Sequence, residues 1–188
     1  MIRLPRVLPR VLPRVLPSAV VVTVLAVPVA AVDGEPVPVP GPTSTSCQDG
    51  LVWNPDRRVC EAPERSGLSD DVLYEAAREL AWNDRPTEAL RVLDAMAGQS
   101  DSRVLTYRGF VLRRAGDWAG ARRAYEAALA ADADNLLARS YFGMGLVEGG
   151  DLTAARAQLS EIRARGGTGS WPELALAAAI AEGTAGRY

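Results

Sequence analysis

The chain of 188 residues carries 21 arginines against 23 acidic residues and contains neither lysine nor histidine. Those two absences exclude Ser-His-Asp and Cys-His catalysis, the commonest metal ligand, and any Schiff-base or P-loop lysine. With 48% hydrophobic and 23% charged residues, the composition is that of one globular domain with a short appendage.

Residues 1 to 17 read MIRLPRVLPRVLPRVLP, with Arg3, Arg6, Arg10 and Arg14 and no acid, and an apolar run follows from Ser18 to Val32. A basic start, an apolar stretch and small residues at Val29-Ala30-Ala31 form the layout of a secretory signal peptide, so residues 1–31 are read as an export signal cleaved after Ala31. The alternative is that it is retained and residues 15–32 anchor the chain in a membrane. The Arg-Val-Leu-Pro tandem leaves the true start codon open. Cleavage removes four arginines and no acid, leaving 17 against 23, a net charge of −6. A partner of the acidic mature chain is then a protein or peptide and not a nucleic acid.

Residues 32–46, VDGEPVPVPGPTSTS, are rich in proline and glycine and read as a disordered, polyproline-like linker. Cys47 and Cys60 are the two cysteines of the chain. An even count in an exported protein predicts a disulfide. Between them, Leu51-Val52-Trp53 and Arg58-Val59-Cys60 have strand propensity, and Asn54-Pro55-Asp56-Arg57 suits a type I turn. Residues 47–66 thus form a disulfide-closed β-hairpin, with the bridge contributing about 3 kcal/mol. Cys47, Gly50, Leu51, Val52, Trp53, Asn54, Pro55, Cys60 and Pro63 are similar to the central run of the chitin-binding peritrophin-A module, whose other four cysteines are absent. The resemblance implies glycan or cell-wall binding through Trp53.

From residue 70 the sequence matches itself at a period of 34: Gly109, Leu112, Gly116, Asp117 and Ala121 recur as Gly143, Leu146, Gly150, Asp151 and Ala155. An earlier copy aligns at an offset of 32, with Leu73, Ala77, Leu80 and Ala89 standing for Leu105, Gly109, Leu112 and Ala121. Apolar residues follow helical spacing on both sides of each Gly-Asp pair, so every unit is an antiparallel helical hairpin. The units span residues 70–101, 102–135 and 136–169, and a final helix over 170–182 starts at Ser170 with Pro172 in its first turn.

This pattern, over about 100 residues, resembles the tetratricopeptide repeat. The resemblance implies an all-α fold: a short α-solenoid of three hairpins with a C-terminal capping helix, preceded by the small β-hairpin. In it Gly109 and Gly143 let the second helix approach the first, Ala121 and Ala155 face them, and Tyr125 and Leu159 fill the next large position. It also implies that the first helices line a groove for a partner segment. The side chains placed there are Tyr74, Arg78, Arg103, Thr106, Phe110, Arg113, Ser140, Met144 and Val147, together with Trp82 and Leu137. Arginines among apolar walls suit a partner with carboxylates and apolar anchors.

Carboxylate chemistry has no support in the spacing. Asp70-Asp71, Asp117, Asp132 and Asp134 lack the calcium-loop pattern, Asp132 and Asp134 read as helix caps where one unit hands over to the next, and no serine lies in a Gly-x-Ser-x-Gly elbow. The chain is therefore expected to be a non-enzymatic interaction scaffold of the periplasm or cell envelope, or secreted, with no catalytic residue, metal site or cofactor.

Overall fold

A computed structural model describes residues 37–186. The expected export signal, the start of the linker and the last two residues lie outside the described residues. Within them are eight α-helices and one antiparallel pair of strands.

The linker departs from the expectation of full disorder. Pro42–Ser46 forms a one-turn helix, α1, with proline in its first turn and Thr43 buried. So short a helix has orphan backbone groups at both ends, and both are met from a distance. Glu79 accepts from the Gly41 and Ser44 amides at 2.7 and 2.6 Å. At the other end, the Arg85 guanidinium donates to the carbonyls of Thr43, Ser44 and Cys47 at 3.4, 3.3 and 3.0 Å. An acid at the N-terminus and a cation at the C-terminus also match the helix dipole.

Strands β1 (Val52–Asn54) and β2 (Val59–Glu61) pair antiparallel, with Trp53 opposite Cys60, and the Cys47–Cys60 disulfide closes the segment. Both strands sit one residue later than their propensity suggests. The reason is the turn, where the Asn54 side chain accepts from Asp56 and Arg57 as expected, but the closing bond runs from the Arg58 amide to the Asn54 carbonyl. The loop is one residue longer than a type I turn and places Arg58 at φ 56°. A 3-10 turn at Pro63–Arg65 leads to Ser69, which caps the next helix by accepting from Val72.

Three helical hairpins follow: α2 (Asp70–Trp82) with α3 (Pro86–Ala95), α4 (Ser102–Arg114) with α5 (Trp118–Ala131), and α6 (Leu136–Glu148) with α7 (Leu152–Ala164). Their first helices all have 13 residues and start at intervals of 32 and 34. The turns repeat as well. Gly116 and Gly150 lie at φ 85° and 79°, a backbone conformation that costs a residue with a Cβ, and the next amides, Asp117 and Asp151, donate to Leu112 and Leu146. Those two aspartates then cap α5 and α7. In the first hairpin Asp84 takes the left-handed position at φ 56°, and the Arg85 amide closes onto Leu80.

Each second helix packs on the first helix of the next hairpin, and the first helices pack on one another. Helix α8 (Trp171–Glu182) packs on α7, as expected, and also on α6, and ends at Gly183 with φ 69°. Ser170 occupies its cap position, but the hydroxyl donates to the Gly167 carbonyl, and Glu173 instead accepts from the Gly169 amide. Likewise α6 is capped by Asn135, while Asp132 closes the turn before it and Asp134 pairs with Arg165. The core is continuous from Val52 on the β-hairpin to Ala185.

Glycines mark two close approaches of different kinds. A Cβ at Gly109 would stand 2.5 Å from the Tyr125 ring, the expected meeting of first and second helix. At Gly143 the nearest atoms belong to Leu176 on α8, at 2.6 Å, so that approach serves the last helix and not α7.

Candidate functional site

The side chains expected to line a groove are mostly interior. Tyr74, Arg78, Thr106, Phe110, Arg113, Ser140, Met144 and Val147 are all buried, whereas Arg103 keeps 47% of its side chain exposed. Their burial does not fit an open wall: Tyr74, Arg78, Thr106, Phe110, Arg113 and Ser140 contact the next hairpin or α8, and Met144 and Val147 belong to the core. Tyr74, Tyr107, Tyr141 and Trp171 make a ladder through α2, α4, α6 and α8, with ring centroids 5.5, 6.1 and 5.9 Å apart. Phe110 lies between Trp82 and Tyr141 at 5.3 and 4.8 Å. Aromatic pairs of this geometry contribute roughly 0.5–1.5 kcal/mol each beyond their area.

Two of the arginines are structural for the same reason. Arg78 donates to the Tyr107 hydroxyl at 3.1 Å and pairs with Glu75, and Arg113 pairs with Glu148 at 2.7 Å. Burial pushes the Tyr125 phenol well above its ordinary value, against the nearby Arg113 charge. Arg103 lies over the Tyr74 ring at 5.1 Å and pairs with Asp101. Ser140 donates to the Pro172 carbonyl at 2.8 Å, tying α6 to the start of α8. Leu137 is buried in the same helix, whose residues from Leu136 to Val147 are all interior because α4, α5, α7 and α8 pack around it.

A concave surface lies toward the N-terminal side of the described residues, where α1 and the β-hairpin meet α2. Pro42, Trp53 and Pro55 face Val72 and Ala76 across a cleft of about 340 Å³. Asp71, Glu75 and Glu79 border it along α2. A second hollow of about 400 Å³ shares Glu75 and Glu79 and is bounded by Val37, Pro38 and Val39. Trp53 is half-buried, and its amide donates to Thr43 Oγ1 at 3.2 Å, so it stands as a wall of the cleft and not on a separate hairpin.

The hairpin is held to the helices by ions. Glu88 on α3 accepts from the Gly50 amide and pairs with Arg85. The Arg85 guanidinium holds the Glu88 carboxyl below its ordinary value, against the opposing effect of burial. Arg91 binds Glu64 at 2.6 Å and the Asp49 carbonyl at 2.9 Å. Sequence reading passed over Glu79, Arg85 and Glu88, which look like ordinary solvated helix charges. Their partners stand 35 to 42 positions away, and no local pattern announces them.

Among the described residues no group of three or more His, Cys, Asp or Glu is placed to hold a metal ion, and no helix is long and apolar enough to cross a membrane. Comparison with protein-family models, with curated proteins and with solved structures finds no match to this chain.

Proposed function

We propose that the chain is an exported, non-enzymatic scaffold built on a tetratricopeptide-type solenoid, which binds a segment of a partner protein in the periplasm or cell envelope after residues 1–31 are removed. The observation that carries this reading is the recurrence of one hairpin, with first helices of equal length and the same left-handed turn at Asp84, Gly116 and Gly150. Stacked units of this kind present extended surfaces and suit binding more than catalysis. The disulfide is consistent with an oxidising compartment.

Partner contact on the first-helix side falls to Arg103, since the other eight side chains are buried. The test is photo-crosslinking in the producing cell from a benzophenone amino acid at position 103 or at the exposed Ala130 of α5. A discrete adduct from position 103 and none from position 130 is expected. No adduct, or equal adducts from both, would remove the reading.

A further inference from the structure

The cleft between the stapled hairpin and α2 has a charge and a shape that the repeats do not explain. Its floor is Val72 and Ala76, one helical turn apart, and Trp53, Pro42 and Pro55 form the facing wall. The walls are predominantly apolar. Val37 and Val39, which extend the apolar surface into the adjoining hollow, are 42% and 81% exposed. They are two of the four large hydrophobic residues left exposed among the described residues.

The rim has the opposite chemistry. Asp71 and Glu75 are 79% and 62% exposed at the side chain. Glu79 is engaged in holding α1. Each rim acid already has one cation partner: Arg78, 7% exposed, donates to both Glu75 oxygens at 3.0 and 2.8 Å and to the Tyr107 hydroxyl, and Arg103 contacts Asp71 at 3.4 Å while pairing more closely with Asp101. An ionised carboxylate has about four acceptor positions, so both rim acids can accept further donors.

Spacing sets the form of the occupant. Residues four apart on a helix are about 6 Å apart along its axis. Alternate residues of an extended chain are separated by roughly 6.6 Å. Cations at positions i and i+2 of an extended peptide therefore meet Asp71 and Glu75 together, and the residue between them points to the other side, into the apolar cleft.

We propose that this cleft docks an extended peptide segment that alternates cations with apolar residues, the cations pairing with Asp71 and Glu75 and the apolar side chain entering between Trp53 and Val72. The site adjoins the Arg103 surface through the Asp71 contact, but peptide titration and crosslinking from position 103 read the two separately.

The experiment is calorimetric titration of the full disulfide-bonded protein with two capped peptides, Arg-Val-Arg-Val-Arg and Glu-Val-Glu-Val-Glu. The basic peptide is expected to bind, more weakly as salt rises, and the acidic one not to bind. The double variant Asp71→Asn, Glu75→Gln removes both charges while leaving an amide oxygen to accept from Arg78 and Arg103, and should weaken binding by about tenfold. Trp53→Ala should weaken it without changing the salt dependence; if that variant fails to fold, the double variant still decides. Equal binding of the two peptides, or an unchanged affinity in the double variant, would overturn the proposal. So would binding of a neutral chitin oligosaccharide in place of the basic peptide.

Discussion

Arg85 donates to the carbonyl of Cys47 at 3.0 Å across 38 positions of sequence, joining a half-cystine of the β-hairpin to the turn of the first helical hairpin. The same guanidinium pairs with Glu88, and Glu88 accepts from Gly50. A loop, a one-turn helix and a repeat are thereby held by two side chains. The stapled segment is the N-terminal end of the helical stack, whose core runs through Val52 into α2 and α3.

Removing either member should loosen that end. Arg85→Ala is expected to lower folding stability by about 2 kcal/mol, the scale of hydrogen bonds to a charged group, read from urea unfolding at pH 7. Glu88 also predicts the acid limb. Its carboxyl in the fold titrates below the ordinary 4.5 because of Arg85. The stability it contributes is therefore complete above pH 4.5 and is lost as pH falls through the lower folded value. Glu88→Gln should flatten the decline between pH 5 and pH 3, measured by urea midpoints across that range.

The close approach of α4 and α5 gives a second expectation. Gly109→Ala places a Cβ 2.5 Å from the rigid Tyr125 ring, and overpacking of this kind costs roughly 1–3 kcal/mol. In a Tyr125→Leu background the alanine should therefore be tolerated better. A double-mutant cycle in urea should show favourable coupling between the two changes, and strict additivity would refute the steric account.

The repeated turn gives a third. Gly116 and Gly150 sit at positive φ with open space around them, so the expected effect of Gly116→Ala or Gly150→Ala is backbone strain of about 1 kcal/mol and not a clash. Asp84 already tolerates the same conformation at φ 56°, with Arg114 paired to its carboxylate. Asp84→Ala should accordingly cost less than an alanine at either glycine, because no glycine freedom is lost there. Thermal unfolding of the three variants orders them.

Much of this architecture is legible in the sequence. The period of 34, the Gly-Asp turns and the offset of 32 lead to three hairpins, and the described helices start at those intervals. Cys47 and Cys60 are bonded, and Gly183 ends the last helix. What was not legible depends on contacts distant in sequence. Pro42–Ser46 looks like spacer because its order comes from Glu79 and Arg85. Phe110, Ser140 and Met144 look like groove walls because the resemblance to the tetratricopeptide repeat implies an open first-helix face, and helical periodicity does not show what covers it. Here the neighbouring first helices and α8 cover it. The cleft beside Trp53 was invisible for the same reason, since its two walls are contributed by separate elements.

The central claim is that the disulfide-closed hairpin is the built-in end of the helical stack. Hydrogen exchange of the full chain, compared before and after selective reduction of Cys47–Cys60, tests it most directly. The account predicts faster exchange in residues 42–61 and, with it, in α2 and α3, while α6, α7 and α8 keep their protection. Faster exchange confined to residues 42–61, with α2 and α3 unchanged, would contradict it.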